Sequence, residues 1–232
     1  MKQLYILKKT ISVSFFILLM SIKLAAQVSP SDTVIDSRTG LKYPTINING
    51  TIWMAKNMDI GVMVKNTNQT NNKVIEKTCY DNDSANCKIY GGLYTYDEAM
   101  SYDSLSNQGI CPDCWHVATK EDWEELYKLS NRQDLMQQLK VGKNNSPPWD
   151  GNNATGFSAL PGGLAYDNVF GRKGDWAIFW SSTQAGKNYA WSIEMDKYYP
   201  VLSGNSHLII SNVYLKRNAF SVRCVKNKTG NK

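Results

Sequence analysis

The sequence predicts an α+β fold, in which twisted antiparallel sheets carry two or three helices and long ordered loops. Short segments such as 189–195 alternate between apolar and polar residues, which is the pattern of a strand buried on one face. A helical pattern begins at Thr119, where Trp123, Leu126 and Tyr127 form an apolar stripe. Stretches rich in Gly, Pro and Asn separate these segments. Together, these patterns indicate sheets packed against a small number of helices.

Residues 156–183 carry the strongest local signal of this fold. The run Gly156-Phe-Ser-Ala-Leu-Pro-Gly-Gly163 ends an apolar strand at Pro161, which has no N–H to donate to a sheet. The two glycines that follow allow positive φ angles without a Cβ clash. Trp180-Ser-Ser-Thr183 then ends a second strand. The segment predicts two core strands joined by a long, ordered surface loop.

Residues 1–26 have the pattern of a signal peptide. Lysines precede an apolar run over 11–20, and Ala25-Ala26 supplies a small-residue cleavage site. A membrane anchor is the alternative, but the run is short because a span needs about 20 residues. We expect cleavage after Ala26 and export to the periplasm, the cell surface or the medium, with no transmembrane anchor left on the mature chain.

The charge of the mature chain gives no reason to expect a nucleic-acid partner. Four lysines of residues 1–26, a segment without acids, account for four of the six net positive charges, so +2 remains for 27–232. Basic residues beyond that segment form no cluster larger than scattered pairs, such as Arg172-Lys173. A nucleic-acid-binding surface would need a basic cluster.

The N-terminal part of the domain predicts an entry hairpin over 46–54. Asn49-Gly50 is a two-residue turn signal between alternating segments. We expect Trp53 and Met54 to face opposite sides, with one of them in the core. Residues 60–78 are polar and asparagine-rich, which indicates a solvated loop with one irregular strand or, alternatively, a ligand-facing loop.

Three helices are expected in the middle of the chain. Residues 97–102 begin with two acids, which suit the first turn of a short helix. Thr119 is a good N-cap for the main helix, and a second helical pattern covers 135–139. In the final strand, 220–225, the odd-numbered Arg223 is expected to face away from its apolar neighbours.

Cys79 and Cys87 enclose seven residues and, in an exported protein, are expected to form a disulfide. Asp81 and Asp83 within this loop are oxygen ligands of the kind that Ca²⁺ takes. The loop lacks the glycine and glutamate that complete an EF-hand. We therefore expect a turn-rich disulfide loop and no cofactor, with calcium binding as the alternative.

The loop 142–155 is the first candidate for ligand binding. Trp149 stands beside Asp150, Asn152 and Asn153. An aromatic ring next to carboxylate and amide groups is the composition of a sugar-binding surface, where the ring stacks on the sugar and the polar groups bind hydroxyls. The alternative is that Trp149 folds back as a lid over the core.

Several motifs occur in the order found in one family of secreted bacterial proteins. They are Ile52-Trp-Met-Ala-Lys-Asn57, Cys79 to Cys87, Tyr90-Gly-Gly-Leu-Tyr-Thr95, Cys111-Pro with Trp115-His116, GFSALPGG at 156–163, WSST at 180–183, and Phe220-Ser-Val-Arg-Cys-Val225. With these motifs the chain resembles the Fibrobacter succinogenes major paralogous domain family over 34–226. The flanking segments are then a linker at 27–33 and a tail at 227–232.

The resemblance implies a disulfide-stabilised domain similar to C-type lectin-like and formylglycine-generating-enzyme-like folds. It also implies a long-range disulfide between Cys111 and Cys224, which leaves Cys114 without a partner. Two alternatives remain open: Cys111-Pro-Asp-Cys114 as a redox pair, and a zinc site formed by these cysteines with His116. The resemblance implies no particular chemistry, because the family has no settled activity.

The function expected from these observations is a non-catalytic, secreted or cell-surface binding module, with carbohydrate as the expected ligand. Formylglycine-generating enzymes use two cysteines late in the chain, where this sequence has only Cys224, and no GxSxG elbow is present. The alternative is a structural or assembly protein of the cell surface that binds other proteins; an enzyme is the third hypothesis. The candidate ligand-binding residues are Trp149, Asp150, Asn152, Asn153, Tyr166, Trp176, Tyr198 and Tyr199.

Overall fold

A computed structural model describes residues 32–103, 105–128, 135–196 and 209–228, with the side chains of 209–211 excepted. The predicted signal peptide, Tyr198 and Tyr199 lie outside these ranges. None of the helices within them is long and apolar enough to cross a membrane.

The described residues form a sheet-rich α+β domain. The strands are β1 (Asp32–Ile35), β2 (Lys42–Ile48), β3 (Thr51–Met54), β4 (Val62–Val64), β5 (Glu76–Thr78), β6 (Trp115–Val117), β7 (Leu164–Tyr166), β8 (Val169–Gly171), β9 (Trp176–Gly186), β10 (Tyr189–Asp196), β11 (Ile209–Leu215) and β12 (Cys224–Lys226). The helices are α1 (Ser84–Tyr90), α2 (Tyr96–Ala99), α3 (Lys120–Lys128) and α4 (Leu135–Leu139).

Two antiparallel sheets form the body of the domain. Five strands pair in the order β1-β2-β3-β12-β6, and three pair in the order β11-β10-β9. The hairpin β7–β8 is antiparallel, whereas β4 and β5 form a short parallel pair. This parallel pair lies in the asparagine-rich segment 60–78, which was expected to contain one irregular strand at most. The prediction of antiparallel main sheets is confirmed.

Alternate residues of both sheets enter two different hydrophobic cores. The first core includes Tyr43, Met54, Tyr94, Tyr96, Ile178, Trp180, Phe220 and Val222. The second core includes Ile46, Trp53, Trp123, Leu126, Trp149, Phe157, Phe179 and Ile193. Trp53 and Met54 are both buried, so the expectation that only one of them enters the core is wrong. The sheets act as a middle layer, which is why strands such as β9 are buried on both faces.

Local signals explain most element boundaries. Asn49 and Gly50 have φ angles of 51° and 91°, as a tight hairpin turn requires. The α3 helix begins with a reciprocal cap, in which Thr119 Oγ1 accepts from the Asp122 N–H at 3.0 Å and Asp122 Oδ2 accepts from the Thr119 N–H at 2.8 Å. The α2 helix ends at Ala99, earlier than expected, and two residues with positive φ follow within three positions.

The GFSALPGG segment is mostly buried. Of the two adjacent glycines at its end, only one has a positive φ angle. Gly163 has φ of 70°, and a Cβ there would collide with the carbonyl oxygen of Gly171. Gly162 does not have a positive φ, so the expectation of two such glycines is wrong. Phe157 and Ala159 are fully buried in the second core. The segment thus packs as core between β9 and the loop that precedes it.

Arg223 corrects the expected pattern of the last strand. Instead of facing solvent, its side chain is buried, with 1% of the residue exposed. The guanidinium donates to Asn57 Oδ1 at 2.9 Å and to the carbonyl oxygens of Met54 at 2.8 Å and Phe157 at 2.6 Å. The alternation of the strand correctly predicted which face the Arg223 side chain is on. It did not predict that this face is buried, because residues 54–57 and 157–158 cover it.

Candidate functional site

The loop 142–155 does not form the sugar-stacking surface that its composition suggested. Trp149 is only 3% exposed and belongs to the second core. The ammonium of Lys140, itself buried, lies 5.0 Å from the Trp149 ring centre and 2.9 Å from the Asp150 carboxylate. The structure therefore fits the alternative reading, in which Trp149 is a lid over the core.

The two asparagines of this loop have local structural roles. Asn152 is exposed, and its Oδ1 accepts from the Ala154 N–H at 3.0 Å. Asn153 exchanges two hydrogen bonds with Ser158, at 3.0 and 2.8 Å. These bonds hold the loop against the GFSALPGG segment, so neither amide is aimed at a shared ligand position with Trp149.

The remaining aromatic candidates are not brought together. Tyr166 lies on β7 and is 45% exposed. Trp176 is half-buried at the start of β9, and the Arg172 guanidinium lies 4.7 Å from its ring centre. These residues and the loop 142–155 do not form one site in the described part of the chain.

The carboxylates of the first disulfide loop are already engaged. Asp81 faces the Lys173 ammonium at 3.5 Å, and Asp83 caps α1 by accepting from the Ala85 N–H at 2.9 Å. Among the described residues, no three His, Cys, Asp or Glu side chains converge as a ligand set. The sequence-based alternative of calcium here has no ligand set around these two residues.

Both expected disulfides are present, Cys79–Cys87 and Cys111–Cys224, and Cys114 is a free, exposed cysteine. The readings of Cys111 and Cys114 as a redox pair, or as zinc ligands with His116, are therefore wrong for this structure, because Cys111 is bonded to Cys224. Both ring nitrogens of His116 are also occupied, Nε2 by Asp122 Oδ2 at 2.8 Å and Nδ1 by Asn227 Oδ1 at 2.7 Å.

We expect the protein to lose stability as pH rises through the pKa of His116. Burial opposes the charged ring, but the hydrogen bond and the charge of Asp122 outweigh it, so the pKa of His116 is raised. A raised pKa stabilises the folded state fully below the unfolded value of about 6.5, and this contribution is lost at higher pH. Urea unfolding at pH 6 and pH 9 measures the loss. His116→Gln should flatten the difference; an unchanged difference would contradict the assignment.

A polar groove on another surface joins parts of the chain that are distant in sequence. Its volume is about 360 Å³, and its lining residues are Thr67, Asn68, Gln69, Thr95, Asp97, Asp167, Asn168, Lys216 and Arg217. Hydroxyl, amide, carboxylate and basic groups thus occur together around one concave surface. This mixture suits a ligand with many hydrogen-bonding groups.

The walls of the groove are held by specific hydrogen bonds. Gln69 accepts from the Thr95 N–H at 2.7 Å and donates to the Leu93 carbonyl at 2.9 Å. Asn168 Oδ1 accepts from the N–H and the hydroxyl of Thr67, both at 3.1 Å. The loop at 67–69 is therefore fixed to the segment before α2 on one side and to the β7–β8 turn on the other.

Some charged groups of the groove are bound to other protein side chains, and others are not. Arg217 pairs with Asp167 at 3.2 Å, and both side chains are largely exposed. Lys216 donates to Gln184 at 2.5 Å, and its ammonium lies 4.9 Å from the Tyr96 ring centre. Asp97 is exposed, and no partner of its carboxylate is found among the described residues. It is the groove's most available acceptor.

Next to this groove, apolar side chains line one face of the paired strands β10 and β11. Leu215 lines the adjoining part of the groove with Lys187 and Asn188. Tyr189 pairs directly with Leu215, and Trp191 pairs with Val213, so these four residues share one face of the sheet. Tyr189 is 44% exposed and Val213 is 40% exposed. We call this set the β10–β11 strip.

Sequence reasoning missed most of this groove. Its loop 67–69 belongs to the segment for which ligand contact was only the alternative, and 216–217 looked like a scattered basic pair. The alternation at 189–195 did place Trp191 on one face, but pairing with β11 is needed to bring it near the groove. No local motif signals a site assembled from four separate segments.

The groove does not contain an obvious acid–base pair. Its carboxylates, Asp97 and Asp167, are exposed, and Asp167 is paired with Arg217. Glu98, whose pKa burial raises, is directed at Tyr102 and the Glu76 N–H instead of at the groove. A buried acid held close to the ligand would be the sign of proton transfer.

Comparisons with known proteins agree with the motifs and add no ligand. No curated protein and no solved structure matches the chain. The model of the Fibrobacter succinogenes major domain matches residues 46–226, which is most of the chain. The chain belongs to the Fibrobacter succinogenes major domain family.

Proposed function

We propose that this domain is a non-catalytic binding module for carbohydrate, and that its ligand occupies the groove at 67–69, 95–97, 167–168 and 216–217. The observation that carries the proposal is the junction of this polar groove with the β10–β11 strip. Sugars present hydroxyls at their edges and C–H groups on their faces. A site for them therefore needs hydrogen-bonding groups beside an exposed aromatic ring.

Each part of the junction has a role in this proposal. Asp97 accepts from sugar hydroxyls, because its carboxylate is exposed and has no described partner. Lys187 and Lys216 donate to hydroxyl or carboxylate oxygens of the ligand. Tyr189 supplies the ring against which a sugar face stacks, and Leu215 extends this apolar contact.

The proposal includes the fold type and the location of the protein. The two sheets with four described helices and ordered loops are consistent with a C-type lectin-like domain, in which a rigid scaffold presents binding loops. Two disulfides support an oxidising environment, and the pattern of residues 1–26 supports export to the periplasm, cell surface or medium.

The second candidate function is assembly with another protein at the cell surface. It is favoured by the exposure of Tyr189 and Val213 on one face, since exposed aromatic and aliphatic side chains are common in protein interfaces. This candidate uses the β10–β11 strip but does not need the polar groove. The two functions are therefore separable by mutation.

We expect Asp97→Ala to weaken glycan binding at least about tenfold, since one hydrogen bond to a charged group is worth roughly 1.5–3 kcal/mol. Tyr189→Ala should also weaken binding, because it removes the buried area of the stacked ring. The measurement is a glycan-array screen of residues 27–232, with and without calcium, followed by calorimetric titration of each glycan that binds. Loss in the Asp97 variant tests the groove, and loss in the Tyr189 variant tests the strip.

Asp113→Ala is a suitable control, because Asp113 is an exposed aspartate on the loop before β6. Glycan binding that survives both test variants would place the site elsewhere. A blank array with folded, disulfide-bonded protein, together with a specific protein partner whose capture requires Tyr189, would replace the proposal with the assembly function.

A further inference from the structure

Two buried acids hold the loop that continues from the groove wall. Glu98 on α2 and Glu76 on β5 are only 1% and 8% exposed. Glu76 accepts from the Thr70 N–H at 2.7 Å and from the Asn72 side-chain amide at 2.9 Å. Glu98 Oε2 accepts from the Glu76 N–H at 2.8 Å. The Glu76 carboxylate thus closes the turn at 70–76, and the Glu98 carboxyl group attaches this turn to α2.

The hydrogen bonds around Tyr102 favour a proton on Glu98. The Tyr102 hydroxyl lies 2.7 Å from the Thr70 carbonyl oxygen and in hydrogen-bond contact with Glu98 Oε1. A phenol has one hydrogen, and a carbonyl oxygen only accepts. If Tyr102 donates to Thr70, the hydrogen between Tyr102 and Glu98 must come from Glu98. A neutral Glu98 supplies a hydrogen for each of the two contacts of the Tyr102 oxygen. An ionised Glu98 either takes the Tyr102 hydroxyl away from the Thr70 carbonyl, which then keeps only the Asn72 N–H at 2.7 Å as its donor, or repels the phenol oxygen.

We infer that Glu98 is a proton-operated latch, which is neutral when the loop 70–76 is closed and which releases that loop when it ionises. Because residues 67–69 of the same segment line the groove, release also loosens the end of one groove wall. That last consequence rests on the proposed function, but the latch itself does not.

The charged groups near Glu98 are carboxylates, and they favour its neutral form. Burial makes the largest contribution to the pKa of Glu98. The hydrogen bonds from the Glu76 N–H and from Tyr102 lower this pKa, but burial together with the nearby Glu76 and Asp97 carboxylates outweighs them, so the pKa of Glu98 is raised. The pKa of Tyr102 is also raised, by burial and then by Glu98, so the phenol keeps its proton. A carboxyl pKa raised on folding makes the folded state less stable as pH rises from the ordinary value through the raised one.

Hydrogen exchange tests the latch without any ligand. Amide exchange of residues 27–232 is measured at pH 5 and pH 8, with each rate divided by its intrinsic rate at that pH. We expect protection of Thr70, Asn72 and Glu76 to fall about tenfold at pH 8. The amides of Asn66 and Thr67, at the far end of the groove wall, serve as an internal control, because they donate to Asn82 Oδ1 at 2.5 Å and to Asn168 Oδ1 at 3.1 Å.

Two variants separate the latch from general loosening. Glu98→Gln keeps a donor and an acceptor in place of the neutral acid, so the loop should stay protected at both pH values. Tyr102→Phe removes the hydroxyl that reaches Thr70, so the loop should be less protected at both. A wild-type loop whose protection does not change, or a Glu98→Gln variant with the wild-type response, would overturn the inference.

A direct titration covers the case in which Glu98→Gln does not fold. Carboxyl carbon shifts of the wild-type protein, followed by NMR, report the protonation of Glu98. A midpoint above the usual glutamate range of about 4.3 supports the latch, and a midpoint at or below it overturns the latch.

Discussion

Replacing Arg223 with methionine is expected to lower the free energy of unfolding by about 4 kcal/mol, because several buried acceptors lose their donors together. The guanidinium contacts two carbonyl oxygens and the Asn57 amide oxygen, and it lies 4.3 Å from the Phe157 ring centre. Burial lowers the pKa of Arg223 to about 9, which still leaves it charged at neutral pH. Methionine fills part of the volume but offers no N–H.

Denaturant unfolding followed by tryptophan fluorescence measures this effect. Arg217→Met is the matched control, since the Arg217 side chain is 64% exposed and is expected to change stability by less than about 0.5 kcal/mol. Arg223→Lys should also be strongly destabilised, because one ammonium cannot reproduce the planar fork of donors. Equal unfolding midpoints for Arg223→Met and Arg217→Met would show that the buried network contributes nothing.

Removing the Cys111–Cys224 disulfide is expected to cost about 4–5 kcal/mol, against about 2–3 kcal/mol for Cys79–Cys87. The two bridges close loops of very different length, with sequence separations of 113 and 8 residues. A longer closed loop removes more conformations from the unfolded chain. Both residues of the long-range bridge are also buried in the first core, so replacement by alanine adds a packing loss.

Both pairs are best changed to alanine in a Cys114→Ser background, so that the free thiol cannot form a new bridge. Unfolding in guanidinium chloride without reductant then gives the decrease in the free energy of unfolding for each variant. The expected order is a larger loss for Cys111/Cys224. The reverse order would mean that residual structure in the unfolded state, or local packing around Cys79 and Cys87, outweighs loop length.

Local rules predicted the parts of the fold that depend on short-range geometry. Asn49-Gly50 predicted the hairpin because few residue pairs accept two positive φ angles, and Thr119 with Asp122 predicted the start of α3. The short spacing between Cys79 and Cys87 was sufficient to predict their disulfide. The Cys111–Cys224 bridge followed only from the family resemblance, since spacing alone left Cys114 as a possible partner.

The site was poorly predicted because composition does not report burial. Trp149 has the neighbours of a sugar-binding tryptophan, yet its ring fills the second core. Arg223 has the alternation of a solvent-facing residue, yet two distant segments cover it. Conversely, Gln69, Asp97 and Asn168 are unremarkable in sequence. They meet only because the loop after β4, the segment at α2 and the β7–β8 turn are packed side by side.

The position of β12 in its sheet affects how the chain can fold during synthesis. This strand lies between β3 and β6, although it begins at residue 224 and β3 ends at residue 54. At about 5–20 residues per second, a ribosome needs roughly 10–30 s after β3 to supply β12. Until then the entry hairpin has no neighbour on its inner edge. We expect this sheet to stay incomplete while the chain emerges, which suits the export proposed above, because a translocation channel accepts an unfolded chain.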